Sequence, residues 1–271
     1  MCIAVAAAGL AAAGCSDSGT GASTGQLVVR LTDAPGAEVE AATVWISKVY
    51  LISGADSVHG RIDVATFSPA QAYDLTTLTD GATALLGTAT IPVGDYSQLR
   101  LVVDSARVTL KAPLLFVGGS ATVTLQTPSA MRTGIKVNLG GAVHVESGQT
   151  VLVVDFDVSR NFVLTGPFSA PTGMLFTPVL HGTTTDIAAS IIGAVSPANS
   201  KAELFAITSG GDTVATDFAD TLSGAYMLRF LDPRLSPFTV AAKAGGYATQ
   251  TKTVPLVAGQ TAAGVSFALT P

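Results

Sequence analysis

Two aspartates within one apolar segment are the residues best placed for chemistry. Asp155 and Asp157 interrupt the run from Thr150 to Arg160. Side chains two apart on a β-strand point to the same face, so a strand here places both carboxylates on one side. Hard cations take carboxylate oxygens as ligands. One hypothesis is therefore a calcium site completed by a third carboxylate, Asp104, from a neighbouring strand.

The same two aspartates also fit a purely structural role. On a solvated face they would pair with Arg100 or Arg160, which contributes about 0–1 kcal/mol to stability. The segment lacks the glycine-containing loop of a dedicated calcium motif. The pattern leaves both interpretations open, and it predicts no other metal or cofactor.

A further aspartate follows the first predicted strand. Asp33 lies in Thr32-Asp33-Ala34-Pro35-Gly36, where proline and glycine end strand pairing. A carboxylate in such a turn accepts hydrogen bonds from backbone N–H groups two residues on. We therefore predict a local turn role for Asp33, with a ligand role as the alternative.

The sequence does not predict catalysis. No Gly-x-Ser-x-Gly occurs, and His59, His144 and His181 lie far apart in the chain. A serine hydrolase needs a nucleophile, a histidine and a carboxylate brought together. We predict a protein that is not an enzyme, and a hydrolase is the least favoured alternative.

Composition narrows the class of protein further. The 271 residues are 48% hydrophobic and 12% charged, with a formal net charge of −5. Lys and Arg are scattered singly, so no basic patch for nucleic acid is expected. Frequent Gly, Thr, Val and Ala favour strands and tight turns over helices.

The N-terminus predicts where in the cell the protein is located. An apolar run from Ile3 to Ala13 ends in Ala12-Ala13-Gly14-Cys15, and a polar stretch follows. This resembles a bacterial lipoprotein signal, in which the cysteine is acylated. The run is too short to span a bilayer, and an ordinary secretory signal is the alternative. Leu10 lies five residues before Cys15 rather than three, and no basic residue precedes the run, so the true start codon stays open.

Short strands separated by glycine-rich turns predict an all-β chain with two antiparallel β-sandwich domains. We expect a signal peptide at 1–14, a tether at 15–25, a larger domain at 26–182, a linker at 183–187 and a small Ig/transthyretin-like domain at 188–271. Hydrophobic alternation changes phase at Ser47-Lys48, which predicts a β-bulge.

The larger domain resembles the lipoprotein domain of unknown function family number 4382. The resemblance rests on a series of motifs in order: Leu31-Thr32-Asp33-Ala34-Pro35, Ser47-Lys48-Val49, Tyr73-Asp74-Leu75, Pro92-Val93-Gly94-Asp95-Tyr96, Gly134-Ile135-Lys136-Val137, Val154-Asp155-Phe156-Asp157 and Pro178-Val179-Leu180. That family has no assigned activity, so the resemblance implies no catalytic residues.

The second domain resembles the carboxypeptidase regulatory-like, transthyretin-like sandwich through Gly224-Ala225-Tyr226-Met227-Leu228, Phe238-Thr239-Val240 and the closing Val265-Ser266-Phe267-Ala268-Leu269. The resemblance implies an accessory module. We therefore expect a non-catalytic protein of the bacterial cell envelope, held to the inner or outer membrane by lipid at Cys15, with a structural or ligand-binding role. The alternative is a surface lipoprotein that binds carbohydrate or another polymer, and an envelope protein is a further possible partner.

Overall fold

The computed structural model describes residues 23–34, 36–53, 60–127 and 132–271, and these residues form an all-β protein, as predicted. The first twelve strands are β1 (Thr24–Thr32), β2 (Val39–Ser53), β3 (Arg61–Asp74), β4 (Ala84–Pro92), β5 (Gly94–Leu110), β6 (Thr122–Gln126), β7 (Ile135–Leu139), β8 (Val143–Val145), β9 (Gln149–Asp155), β10 (Phe162–Thr165), β11 (Gly173–Phe176) and β12 (Leu180–Thr184). A 3₁₀ turn at Leu75–Thr77 and the one-turn helix α1 (Val158–Asn161) lie among them.

A second set of strands follows after a short turn. These are β13 (Ala189–Ser196), β14 (Glu203–Ile207), β15 (Thr213–Phe218), β16 (Ala225–Leu231), β17 (Phe238–Lys243), β18 (Gln250–Val254), β19 (Thr261–Ala262) and β20 (Phe267–Ala268), with 3₁₀ turns at Ala198–Ser200 and Pro233–Leu235. Each set encloses its own hydrophobic core. We call β1–β12 the first unit and β13–β20 the second unit.

The main sheet of the first unit has the order β3-β2-β5-β7-β12-β9-β1-β4, and β6 and β8 also pair with β5. Most pairs are antiparallel, as predicted. β1 with β9, and β7 with β12, are parallel. The parallel pairing places the first strand of the fold between β9 and β4, inside the sheet.

The two end strands of this sheet approach each other. A Cβ added to Gly87 on β4 would lie 2.7 Å from the Cβ of Ala65 on β3, and the Tyr73 hydroxyl donates to the Leu85 carbonyl at 3.2 Å. The sheet therefore curves around its own core. Pro69 lies within β3, which hydrogen-bonds to β2 alone, and an end strand tolerates a residue with no N–H.

One face of the predicted strand β9 packs into the first core. Leu152 and Val154 are fully buried in the first core, as is Phe156 just beyond the strand. The predicted bulge is confirmed, since the registers of β2 shift between Ile46 and Lys48.

The second unit stacks two four-stranded sheets, one ordered β16-β13-β19 with β20 also on β13, the other β15-β14-β17-β18. Gly193 on β13 allows a close backbone approach, because a Cβ there would lie 1.9 Å from the Val265 carbonyl oxygen. The structure places Thr183 and Thr184 in β12 and buries them, whereas the sequence suggested a linker there.

No helix among the described residues is long and apolar enough to cross a membrane. The predicted acylation site Cys15 and the histidine His59 lie outside the described residues.

Candidate functional site

The outward face of β9 is covered rather than solvated. Val153 on this face is 2% exposed, and Thr183 on the neighbouring β12 is 1% exposed. The register aligns Asp155 with Thr32 of β1 on one side and His181 of β12 on the other. Polar side chains therefore form a row across three strands beneath the second unit.

Asp157 leaves the strand on which the sequence placed it. β9 ends at Asp155, and Asp157 adopts a left-handed backbone with φ of 48° before α1 begins. The Asp157 N–H donates to Asp155 Oδ1 at 3.2 Å. The two carboxylates are neighbours because the chain turns here, and not because they share a strand face.

Asp33 joins this pair, which the sequence did not predict. Its Oδ1 accepts the Val158 N–H at 2.8 Å, across 125 positions of the chain. The side chain is 6% exposed, and its Oδ2 is buried without a hydrogen-bond partner. Asp33 thus contacts the start of α1 through this bond.

The second unit closes over the aspartates. Thr216 of β15 is buried, and its hydroxyl donates to Asp157 Oδ2 at 2.8 Å, while Ser159 donates to Asp157 Oδ1 at 2.6 Å. Both oxygens of Asp157 are therefore hydrogen-bonded, and one of these bonds joins the two units.

A cavity of about 30 Å³ lies at this junction. It is lined from both units, by Thr32, Asp33, Ala34, Asp80, Gly81, Asp155, Ala215, Thr216, Asp217, Met227, Arg229 and Phe230. Asp80 and Phe230 have left-handed backbones, with φ of 57° and 52°. Such a conformation in a bulky residue costs about 1–3 kcal/mol and persists only where the surroundings enforce it.

Burial and mutual repulsion change the acidity of the cluster. Burial, then the neighbouring charge of Asp157, raises the pKa of Asp155 to about 8. Burial first and the charge of Asp155 second raise the pKa of Asp33 well above its usual range. Burial also raises the pKa of Asp157, against the lowering effect of its bonds from Ser159 and Thr216. The site is therefore poor in compensating positive charge.

The other predicted partners lie elsewhere. Asp104 is on β5, where Ser47 donates to its Oδ1 at 2.6 Å, and two strands separate β5 from β9. Arg100 donates to the carbonyls of Thr133 and Gly134 instead of pairing with the aspartates. Of the two arginines considered, Arg160 is the one whose charge reaches Asp157.

The two described histidines, His144 and His181, have contacts that do not resemble a catalytic triad. His144 contacts Asp95 at 2.8 Å on the surface. His181 is half-buried, its Nε2 has no hydrogen-bond partner among the described residues, and burial lowers its pKa. Within the described residues, no three His, Cys, Asp or Glu side chains are arranged as a complete metal site.

A second polar junction joins the two units through Asp232 and Arg234. Asp232 is 4% exposed, accepts the Gly140 N–H at 3.1 Å and binds Arg234 at 2.6 Å. Arg234 donates in turn to the Ala142 carbonyl at 2.8 Å. A Cβ on Gly140 would overlap the Asp232 carboxylate, so this contact requires glycine.

Asn161 fixes the far end of α1. It is fully buried, its amide donates to the Phe156 carbonyl, and its Oδ1 accepts the Val179 N–H at 2.8 Å. Phe156 packs near Phe162 and Phe176, with ring centroids 6.2 and 6.0 Å away. These contacts hold α1, which begins directly after Asp157, against the first core.

A family model described as Domain of unknown function (DUF4382) matches residues 24–178. The chain belongs to this family. The DUF4382 region supplies Asp33, Asp155 and Asp157, whereas Thr216 and Arg234 come from beyond it. The junction is thus built by the family domain together with the unit that follows.

No curated protein matches the chain. Among solved structures, the Bacillus anthracis TIE protein is 9% identical, with a TM-score of 0.21 over 90% of this chain and 34% of that one. The chain thus spans about a third of the length of that protein. The D295N mutant of shaft pilin SpaA from Lactobacillus rhamnosus GG is 12% identical, with a TM-score of 0.20 over 91% and 96% of the two chains. Neither TM-score establishes a shared fold.

Proposed function

We propose that this DUF4382 protein is a non-catalytic, lipid-anchored component of the bacterial cell envelope whose two β-units act as one structural or ligand-binding body. The observation that carries the proposal is the pair of buried polar junctions between the units. At one, Thr216 donates to Asp157; at the other, Asp232 accepts from Gly140 and Arg234 donates to Ala142.

These junctions oppose hinge motion. Each includes a carboxylate that is about 95% buried. A hydrogen bond to a charged group contributes about 1.5–3 kcal/mol, and separating the units would leave buried groups unpaired. The second unit, which resembles a carboxypeptidase regulatory-like module, serves here as an accessory domain locked to the first.

The anchor is supported by the sequence before the fold. Small residues precede Cys15, and the polar residues 16–23 separate it from β1. A sequence of this composition, rich in Gly and Ser, is suited to connecting an acylated cysteine to a folded domain.

The anchor is tested by expressing the whole chain in a bacterium fed labelled palmitate. We expect the wild-type protein to carry the label and to be found in the membrane fraction. The Cys15→Ala variant should carry no label and should be absent from the membrane fraction. An unlabelled wild-type protein with an unmodified Cys15 peptide in mass spectrometry would contradict the anchor.

The structural role is tested by limited proteolysis of the same protein. We expect the turn at residues 185–188 to resist cleavage in the wild type and to be cut in Thr216→Val, which removes the donor to Asp157. Equal cleavage of both would show that the junction does not hold the units together. A serine-hydrolase probe that labelled the protein would contradict the non-catalytic role.

The carbohydrate-binding alternative depends on exposed aromatic rings. Trp45 is half-buried, and the Arg107 guanidinium lies 5.3 Å from the centre of its ring. That face of the ring is therefore covered. A glycan array with the purified protein decides this alternative, and specific binding would favour it over a purely structural role.

A further inference from the structure

The cavity between the units has the size of a single small ion. Its volume of about 30 Å³ exceeds the minimum of about 10–15 Å³ needed for one water molecule. Oxygen-bearing side chains line it from both units, including Thr32, Asp33 and Asp155 from the first and Asp217 from the second. The space is thus small and lined by several side-chain oxygen atoms.

One residue that lines this cavity has a carboxylate oxygen without a hydrogen-bond partner among the described residues. Asp33 lines it and is about 94% buried, and its Oδ2 has no hydrogen-bond partner. Leaving a buried acceptor unpaired costs about 1–3 kcal/mol, and more for a charged group. The half-buried carboxylate of Asp155 lines the same cavity, so a cation bound there would offset this cost.

Arg229 is the basic residue among the described residues that line the cavity. In the described parts of the chain, neither Asp33 nor Asp155 forms an ion pair with Lys or Arg. Arg160 acts on Asp157, and Arg229 acts on Asp217. Asp157 itself is occupied by Ser159 and Thr216, so its oxygens serve the junction.

We infer that the cavity between the units binds one calcium ion through the carboxylates of Asp33 and Asp155, with nearby protein oxygens and water completing its shell. Calcium tolerates irregular shells of oxygen ligands, whereas magnesium requires a near-ideal octahedron. Zinc prefers the side chains of His and Cys, and neither type is among the described residues that line this cavity. Of the three ligands in the sequence hypothesis, only Asp155 is kept: Asp104 lies on β5, Asp157 is bonded to Ser159 and Thr216, and Asp33 is the new ligand.

Two carboxylates instead of three or more predict weak binding. Calcium sites of low ligand charge in extracellular modules have dissociation constants of about 10⁻⁴–10⁻³ M. The bound ion would neutralise the charges beneath the second unit and so hold the two units together. The inference adds a ligand to the proposed structural role and does not depend on the lipid anchor.

Equilibrium dialysis of the full chain against calcium, after removal of metal with EDTA, tests the inference. We expect one saturable calcium per chain with half-saturation at about 10⁻⁴–10⁻³ M, and magnesium to compete poorly. Asp33→Asn should weaken binding at least tenfold. Asp104→Asn is the matched control on β5 and should bind calcium like the wild type.

Thermal unfolding followed by the fluorescence of Trp45 provides a second readout. Millimolar calcium should raise the wild-type Tm and leave that of Asp33→Asn unchanged. Asp155→Asn should behave like Asp33→Asn, which covers the case in which one variant fails to fold. Absence of saturable binding, or equal binding by Asp33→Asn and Asp104→Asn, would overturn the inference. Calcium binding by unacylated Cys15→Ala should match that of the wild type, which separates this result from the test of the anchor.

Discussion

Replacing Asp155 with Asn should stabilise the metal-free protein at neutral pH. The fold raises the pKa of this carboxyl from the ordinary value of 3.8 to about 8. The folded protein therefore retains a proton that the unfolded chain releases. Below about pH 4 both states are protonated and the contribution to stability is complete; it is lost as the pH rises toward 8.

The size of the effect follows from the width of that window. Each pH unit between the two pKa values costs the folded state about 1.4 kcal/mol, so about three units up to pH 7 give a loss on the order of 4 kcal/mol. Asparagine carries no charge, and its carbonyl can still accept the Asp157 N–H. The loss should therefore be absent in Asp155→Asn.

The assay is urea unfolding in EDTA, followed by the fluorescence of Trp45, which belongs to the first unit. The wild-type free energy of unfolding should fall between about pH 4 and pH 8, whereas the slope for Asp155→Asn should be much smaller. The two proteins should be similar near pH 4. If the variant is no more stable than the wild type at pH 7, the raised pKa of Asp155 does not lower the free energy of unfolding, and the reasoning is refuted.

Four further variants test other contacts. Asp232→Ala should destabilise the protein by about 1.5–3 kcal/mol in urea unfolding, because it removes the acceptor at the second junction. Asn161→Ala should cost about 1–3 kcal/mol by the same assay, since it leaves buried backbone groups unpaired. Gly193→Ala should lower the Tm of the second unit, whereas Gly87→Ala should lower the Tm of the first unit, which Trp45 reports. Calorimetry separates the two transitions. Identical shifts in Tm from both variants would show that the units unfold together.

Much of the first unit was predictable from local pattern. The period of two in β9 assigns Leu152 and Val154 to the core, and the change of phase at Ser47 marks the bulge. Both signals arise within a few residues and need no knowledge of the fold. The extent of β3 was not predictable, because Pro69 argues against a strand unless that strand is known to lie at the end of a sheet.

The site could be predicted only in part. Asp155 and Asp157 are visible as charges in an apolar run, but the end of β9 depends on the left-handed turn at Asp157. Asp33 looks like a turn residue, since its partner Val158 lies 125 positions away. The sole signal that pointed to Asp33 was its position directly after a strand, at the margin where other strands of the sheet also end. Thr216 comes from the second unit, so the sequence of the first unit carries no information on it.

The interior place of β1 has a consequence for how the chain folds. This strand is synthesised before its partners β4 and β9, and its parallel neighbour is complete only at Asp155. Until then an apolar strand has an unpaired edge, which is a template for aggregation. Pairing over so long a separation also slows folding. The pairing of β2 with β3 and β5 can form early, whereas the edge of β1 that faces β9 stays unpaired until most of the family domain has been made.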